Sequence, residues 1–250
     1  MGPVELVASD LERTLEYWQR VVGLRVLSRD AGRASLGADR ELVRFVEEPG
    51  ARSARGYAGL YHVALLLPSR RDLACWLAHA AQAQVGLEGL SDHAVSEAIY
   101  LRDPDGHGIE IYADRPREQW DGRVRELMTT LPLDVESLFA ELDDPRAESR
   151  TELPDGTVVG HTHLCVADVD AAVAFYTGEL GMDVMAQFGN QAAFLSWNGY
   201  HHHVGVNTWE SRGAAAAPSG TVRLLGATIE GAGRSVTTHD PSGNSLFLTP

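Results

Sequence analysis

Three of the ten histidines in this chain are consecutive, in Gly199-Tyr-His-His-His-Val-Gly-Val-Asn207. Imidazole binds metals well and is the side chain that exchanges a proton near neutral pH. Other candidates lie far from this triplet. His62 opens the apolar run Leu60-Tyr-His-Val-Ala-Leu65, and His161 and His163 open Gly160-His-Thr-His-Leu-Cys-Val166. Glu110 stands between Ile109 and Ile111. Each has an ordinary reading when taken alone. A single strand histidine is commonly a hydrogen-bonded polar residue, and a glutamate alternating with isoleucines commonly faces solvent. Two histidines and one carboxylate on one face are also the facial set that binds non-haem Fe(II). Mn(II) suits the same donors; Zn(II) suits them less, because no thiolate is offered. Alternation along a strand puts His161 and His163 on one face, so either is available. In the triplet it puts His201 and His203 on one face and His202 on the other.

An internal repeat positions these residues. Residues 6–26, LVASDLERTLEYWQRVVGLRV, align without a gap with residues 164–184, LCVADVDAAVAFYTGELGMDV. In each copy an apolar strand is followed by an aspartate (Asp10, Asp168) placed to cap a helix. Apolar residues then recur at helical spacing, and a glycine (Gly23, Gly181) closes the helix. Residues 98–112 and 235–249 share a strand, an Asp-Pro-x-Gly turn and a second strand; proline fixes φ at such a turn and glycine supplies a positive φ. The chain therefore reads as four strand–helix–strands modules near 3–50, 58–114, 157–210 and 219–250. The fourth has little room for a helix. The expected fold is α+β, with four βαβββ-type modules forming two curved mixed sheets. Residues 1–114 form an N-terminal domain of modules one and two, and 157–250 a C-terminal domain of modules three and four. Residues 115–156 form a charged connector with a short helix at VESLFAEL.

Composition narrows the function. A net charge of −14 makes the chain a poor partner for phosphate backbones or anionic lipid. No apolar run reaches membrane length, and the N-terminal residues lack the basic-then-apolar layout of a signal peptide. Cys75 and Cys165 read as buried apolar residues, too few for a disulfide framework. The expectation is a cytoplasmic protein with a small-molecule partner, no nucleic acid and no membrane, pairing with itself to cover exposed sheet edges.

The four-module plan, the stretch Asp92-His-Ala-Val-Ser-Glu97 leading into DPDGHGIEIYADRP, and Tyr200-His-His-His203 together resemble the vicinal-oxygen-chelate superfamily, most closely its catechol 2,3-dioxygenase branch. The resemblance covers almost the whole chain. It implies an extradiol enzyme that inserts O₂ into a catecholic ring and yields a ring-opened semialdehyde. It also implies Fe(II), or Mn(II), held by two histidines and a glutamate. Matched residue by residue, the ligands are His62, His163 and Glu110, the acid/base is His202, and His93 and Tyr100 touch the substrate oxygens. His163 is preferred to His161 because the residues after it, Leu-Cys-Val, match Val-Ala-Leu after His62.

The chain departs from the usual order of that branch, in which modules three and four carry the active residues. Here module four has Phe247 at the place of Glu110 and no histidine in its opening strand, and module one has Glu5 and Arg44 at the places of His163 and His202. Only modules two and three together supply two histidines and a glutamate. They are therefore expected to face each other across the metal, with modules one and four forming an inactive cup. The pocket wall is expected to draw on Phe194, Trp197 or Trp209, while His79, His107, His201, His203 and His239 read as outward-facing or surface residues. Two other functions fit the same plan: a glyoxalase-like isomerase or lyase, and a metal-free protein that sequesters a planar ligand.

Overall fold

A computed structural model describes all residues, 1–250. Module one contains β1 (Val4–Ala8), α1 (Leu11–Tyr17), β2 (Arg25–Asp30), β3 (Arg33–Gly37) and β4 (Glu41–Glu47), followed by the short β5 (Arg52–Ser53). Module two contains β6 (Gly59–Leu66), α2 (Arg70–Gln82), β7 (Gly89–Asp92), β8 (Ser96–Arg102) and β9 (Gly108–Asp114). The connector carries α3 (Val124–Leu127), β10 (Leu131–Pro132) and α4 (Val135–Phe139), the last within the expected VESLFAEL helix. Module three contains β11 (Val158–Cys165), α5 (Val169–Leu180), β12 (Asp183–Phe188), β13 (Ala192–Ser196) and β14 (Val204–Asn207). Module four has strands alone: β15 (Thr221–Val222), β16 (Leu224–Ile229), β17 (Val236–His239) and β18 (Ser245–Leu248).

The helix boundaries follow local chemistry. Asp10, Ser69 and Asp168 are extended residues whose side chains accept from the N–H groups of Arg13, Asp72 and Ala171, donors that the first helical turn leaves unpaired. The backbone turns left-handed at Gly23 (φ 98°) and Gly181 (φ 64°), ending both repeat helices. Before Gly23 the helix widens into a π-turn over Trp18–Val22.

Each repeat helix carries an aromatic residue that reaches an Asp-Pro turn. The Trp18 indole donates to Asp103 Oδ2 at 3.0 Å, and the Tyr176 hydroxyl donates to Asp240 Oδ2 at 3.4 Å. The other oxygen of each aspartate accepts from two N–H groups of its own turn, Asp105 and His107 in one, Ser242 and Asn244 in the other. The turn of module two thus docks on the helix of module one, and that of module four on the helix of module three.

The sheets join the modules differently. One runs β10-β7-β8-β9-β6-β11-β14-β13-β12 and contains the strands of modules two and three. The other runs β17-β18-β16-β1-β4-β3-β2 and contains modules one and four. Both curl into half-barrels, and the nine-stranded sheet carries His62, His161 and His163. At its middle β6 and β11 lie antiparallel, with His62 opposite His163 and Ala64 opposite His161. On the other side β6 runs parallel to β9, with Ala64 beside Glu110.

The connector is pinned to module two. Arg70 pairs with buried Glu97 and with Glu141, and also donates to the Ser137 carbonyl. Cys75 and Cys165 are buried free thiols, as read from sequence. His79 and His107, read as surface residues, are buried instead. Each has a carbonyl within hydrogen-bond reach, Arg20 O at 3.1 Å and Val7 O at 2.8 Å, which removes the cost of burying the ring.

Gly108 sets the closeness of β6 and β9, since a Cβ there would lie 2.0 Å from the Tyr61 carbonyl oxygen. Gly108→Ala is expected to force the strands apart and to cost about 1–3 kcal/mol. Thermal unfolding of wild type and variant checks this; an unchanged melting temperature would refute it.

Candidate active site

A row of three strands brings the donors together. Glu110 on β9, Ala64 on β6 and His161 on β11 are register neighbours, with the smallest of the three in the middle. Glu110 Oε2 therefore reaches across Ala64 to within 3.1 Å of His161 Nε2. It also lies 2.9 Å from His62 Nε2, diagonally placed in the next row. His62, Glu110 and His161 are buried, and their donor atoms lie within 4.8 Å of one another.

The third member of this cluster is His161; His163, the ligand preferred from sequence, lies outside it. His163 stands opposite His62 in the row that does not contain Glu110. Its ring packs edge-on against His62, Tyr61 and Phe194 and lies over Gly205, where a Cβ would come within 2.9 Å of it. The signal that separates the two histidines is the distance to the following helix. His62 precedes its N-cap Ser69 by seven residues, and His161 precedes Asp168 by the same seven. The residues that follow each histidine, Val-Ala-Leu after His62 and Leu-Cys-Val after His163, do not carry that register.

The donor set fits a small dication. Adjacent ligands about 2.1 Å from an ion and at right angles lie roughly 3 Å apart, and the two contacts to Glu110 have that spacing. His62 Nε2 is 2.9 Å from the carboxylate yet lacks the alignment of a hydrogen bond, so this buried nitrogen has no partner in the chain. Burial pushes the His161 imidazole down to about 4, with Glu110 opposing the shift only in part. The ring is thus neutral, as a ligand must be. Burial alone would raise the Glu110 carboxyl, but the two adjoining imidazoles hold it well below the usual carboxylate range.

These residues lie at a cavity of about 510 Å³. His93, Tyr100, His163 and His202 also line it, with Tyr61, Met128, Phe188, Phe194 and Trp209 as apolar wall. Trp197 is elsewhere, donating its indole N–H to the Leu180 carbonyl. Tyr100 is the register partner of Glu110 on β8. The Thr129 carbonyl, 2.7 Å from His93 Nδ1, can only accept, so that nitrogen carries the proton. His93 Nε2 then accepts from the Tyr100 hydroxyl at 2.7 Å. Burial, with the Glu110 charge beside it, keeps the Tyr100 phenol protonated by pushing it well above its ordinary value.

The histidine triplet is irregular chain, since β14 begins only at Val204. Alternation therefore does not govern it. Asn198 and Gly199 both have positive φ, and the Arg117 guanidinium from the connector holds the Asn198 carbonyl. His202 packs against His161, with ring centroids 3.9 Å apart, and against Phe194. Burial and the adjoining imidazoles of His161 and His201 push it well below its ordinary value. His201, read as pointing away, is fully buried between Asp114 and His202. His203 turns from the cavity, with Nδ1 2.7 Å from Ser196 Oγ.

Comparison with known proteins places this architecture. The family model described as Glyoxalase/Bleomycin resistance protein/Dioxygenase superfamily matches residues 1–111 and 158–225. The chain belongs to this superfamily. Within the superfamily, the catechol-2,3-dioxygenase of Bacillus subtilis is 44% identical over 227 residues, covering 88% of this chain and 78% of that protein. At that likeness the chain is an enzyme, an oxidoreductase of the dioxygenase kind. Among solved superfamily folds, a Bacillus subtilis structure superposes with a TM-score of 0.63 at 12% identity, over all of this chain and 85% of that one. Glyoxalase I from Zea mays does so at 0.56 and 15%, over 99% and 91%.

The two module-three histidines are separable by metal binding. His161→Ala is expected to weaken Fe(II) or Mn(II) affinity by more than about 100-fold, beyond the loss typical of groups that only support a ligand. His163→Ala is expected to remain within about tenfold of wild type, at or below the lower end of that range. Metal titration of both variants reads this directly, and the reverse ranking would overturn it.

Proposed function

We propose that this dioxygenase is an Fe(II)-dependent extradiol enzyme that opens a catecholic ring with O₂. The observation that carries the reading is the buried His62–Glu110–His161 cluster at a cavity that also presents His202, Tyr100 and His93. The relative called a catechol-2,3-dioxygenase supports the substrate class. When bound, Fe(II) on these three ligands supplies Lewis acidity and electron transfer between ring and O₂.

The remaining work falls to the side chains. His202 is neutral and sits beside His161, placed to take a phenolic proton from the substrate and later return it. The Tyr100 hydroxyl donates its hydrogen bond to His93, so its oxygen keeps lone pairs for a substrate hydroxyl. Phe194, Trp209 and Met128 give the cavity an apolar wall suited to an aromatic ring. His163 lines the same cavity, and its Nε2 is buried without a partner.

No helix of the chain is long and apolar enough to cross a membrane. The acidic composition fits a cytoplasmic enzyme, and unpaired sheet edges at β12 and β2 support self-association.

Anaerobic loading with Fe(II), addition of a catechol panel and admission of air is expected to consume O₂ and give a yellow ring-fission product. His202→Ala is expected to keep its iron and to lose roughly 10²–10⁴-fold in kcat. Iron-loaded wild type that turns over no catechol would refute the reading. A variant as active as wild type would remove His202 from the chemistry.

A further inference from the structure

We infer that Asp114 and His201 form a positioning pair that fixes the tautomer of His202, leaving its Nε2 as the bare nitrogen. The inference rests on the reading of His202 as the proton carrier. The hydrogen bonds can be ordered from one end. Asp114 Oδ1 receives the Tyr200 hydroxyl at 3.2 Å, and Tyr200 in turn lies 2.9 Å from the Tyr112 hydroxyl. A carboxylate only accepts. His201 Nε2, 2.8 Å from the same Asp114 oxygen, must therefore carry its proton. A neutral imidazole protonated at Nε2 has only a lone pair at Nδ1. His201 Nδ1 lies 2.8 Å from His202 Nδ1, so with His201 neutral it is His202 that donates there. Its Nε2 is left without a proton, on a ring that lines the cavity.

The surroundings hold the pair rigidly. The His201 ring packs against Trp120 from the connector, with centroids 5.4 Å apart, and against Tyr200 at 4.0 Å. Tyr112 occupies space that only glycine permits at position 160, where a Cβ would meet its hydroxyl at 1.8 Å. When His202 Nε2 takes a phenolic proton, the new positive charge is shared through the His201 bridge with the Asp114 carboxylate. The set of Asp114, His201 and His202 then passes from one negative charge to none, which favours the transfer.

The tautomer is measurable without turnover. In protein labelled with ¹⁵N at histidine and loaded with Zn(II) or left metal-free, nitrogen shifts distinguish protonated from bare ring nitrogens, and loss of signals in His202→Ala assigns them. Wild type is expected to show His202 protonated at Nδ1 and bare at Nε2. His201→Asn keeps an acceptor near the former Nδ1 and should retain that pattern. His201→Phe keeps the bulk without the acceptor and should lose it, as should Asp114→Ala, which frees His201 to reverse. With iron and catechol, kcat should fall about tenfold or more in His201→Phe with KM unchanged, and stay within about threefold in His201→Asn. A role in packing alone predicts the opposite ranking. Wild-type His202 protonated at Nε2, or the same pattern in His201→Phe and Asp114→Ala, would overturn the inference. Inactive wild type with the expected tautomer would instead count against the reading of His202 while leaving the pair intact.

Discussion

Strands β6 and β11 lie antiparallel at the middle of the nine-stranded sheet, and their register decides what the site contains. The pairing sets His62 opposite His163 and Ala64 opposite His161, while the parallel neighbour β9 contributes Glu110 beside Ala64. A methyl side chain in the middle of that row lets a carboxylate and an imidazole meet above it. A larger residue at position 64 would stand where they approach. The same two strands join module two to module three, so one set of backbone hydrogen bonds both closes the sheet and assembles the donors.

The opposite ends of the molecule obey a different pairing. Trp18 reaches Asp103 and Tyr176 reaches Asp240, tying module one to two and three to four through turns. The sheets cross that grouping, so each module has one partner by docking and another by strand pairing. Modules one and four, without a donor cluster, brace the turn and strand ends from which β9 and β11 extend.

Much of this was legible in the residues. The repeat, the capping aspartates and the closing glycines set module boundaries, and the exclusive occurrence of His62, Glu110 and the His161/His163 pair in modules two and three identified the strands that matter. Choosing between His161 and His163 needed a register that adjacent residues did not give. β11 shifts register on either side of the two histidines, between Val159 and His161 and between His163 and Leu164. Within the triplet only His201 departs from the outward position read for it: alternation applies to strands, and positive φ at Asn198 and Gly199 keeps His201–His203 out of one. The connector, which looked like a charged spacer, supplies Trp120 against His201 and the Thr129 carbonyl that orients His93. Such contacts leave no periodic trace in a sequence.

The separation of the donors along the chain also bears on how the molecule reaches its native state. His62 and His161 are about 100 residues apart, and closing a loop of that size precedes any reward from the contacts it makes. Module two can bring only His62 and Glu110 together on its own, and module three only His161. The three donors therefore meet only where the two modules dock, along the β6–β11 pairing. An ion held by all three side chains would bind only the docked arrangement, and so would add its binding energy to the contact between the two modules.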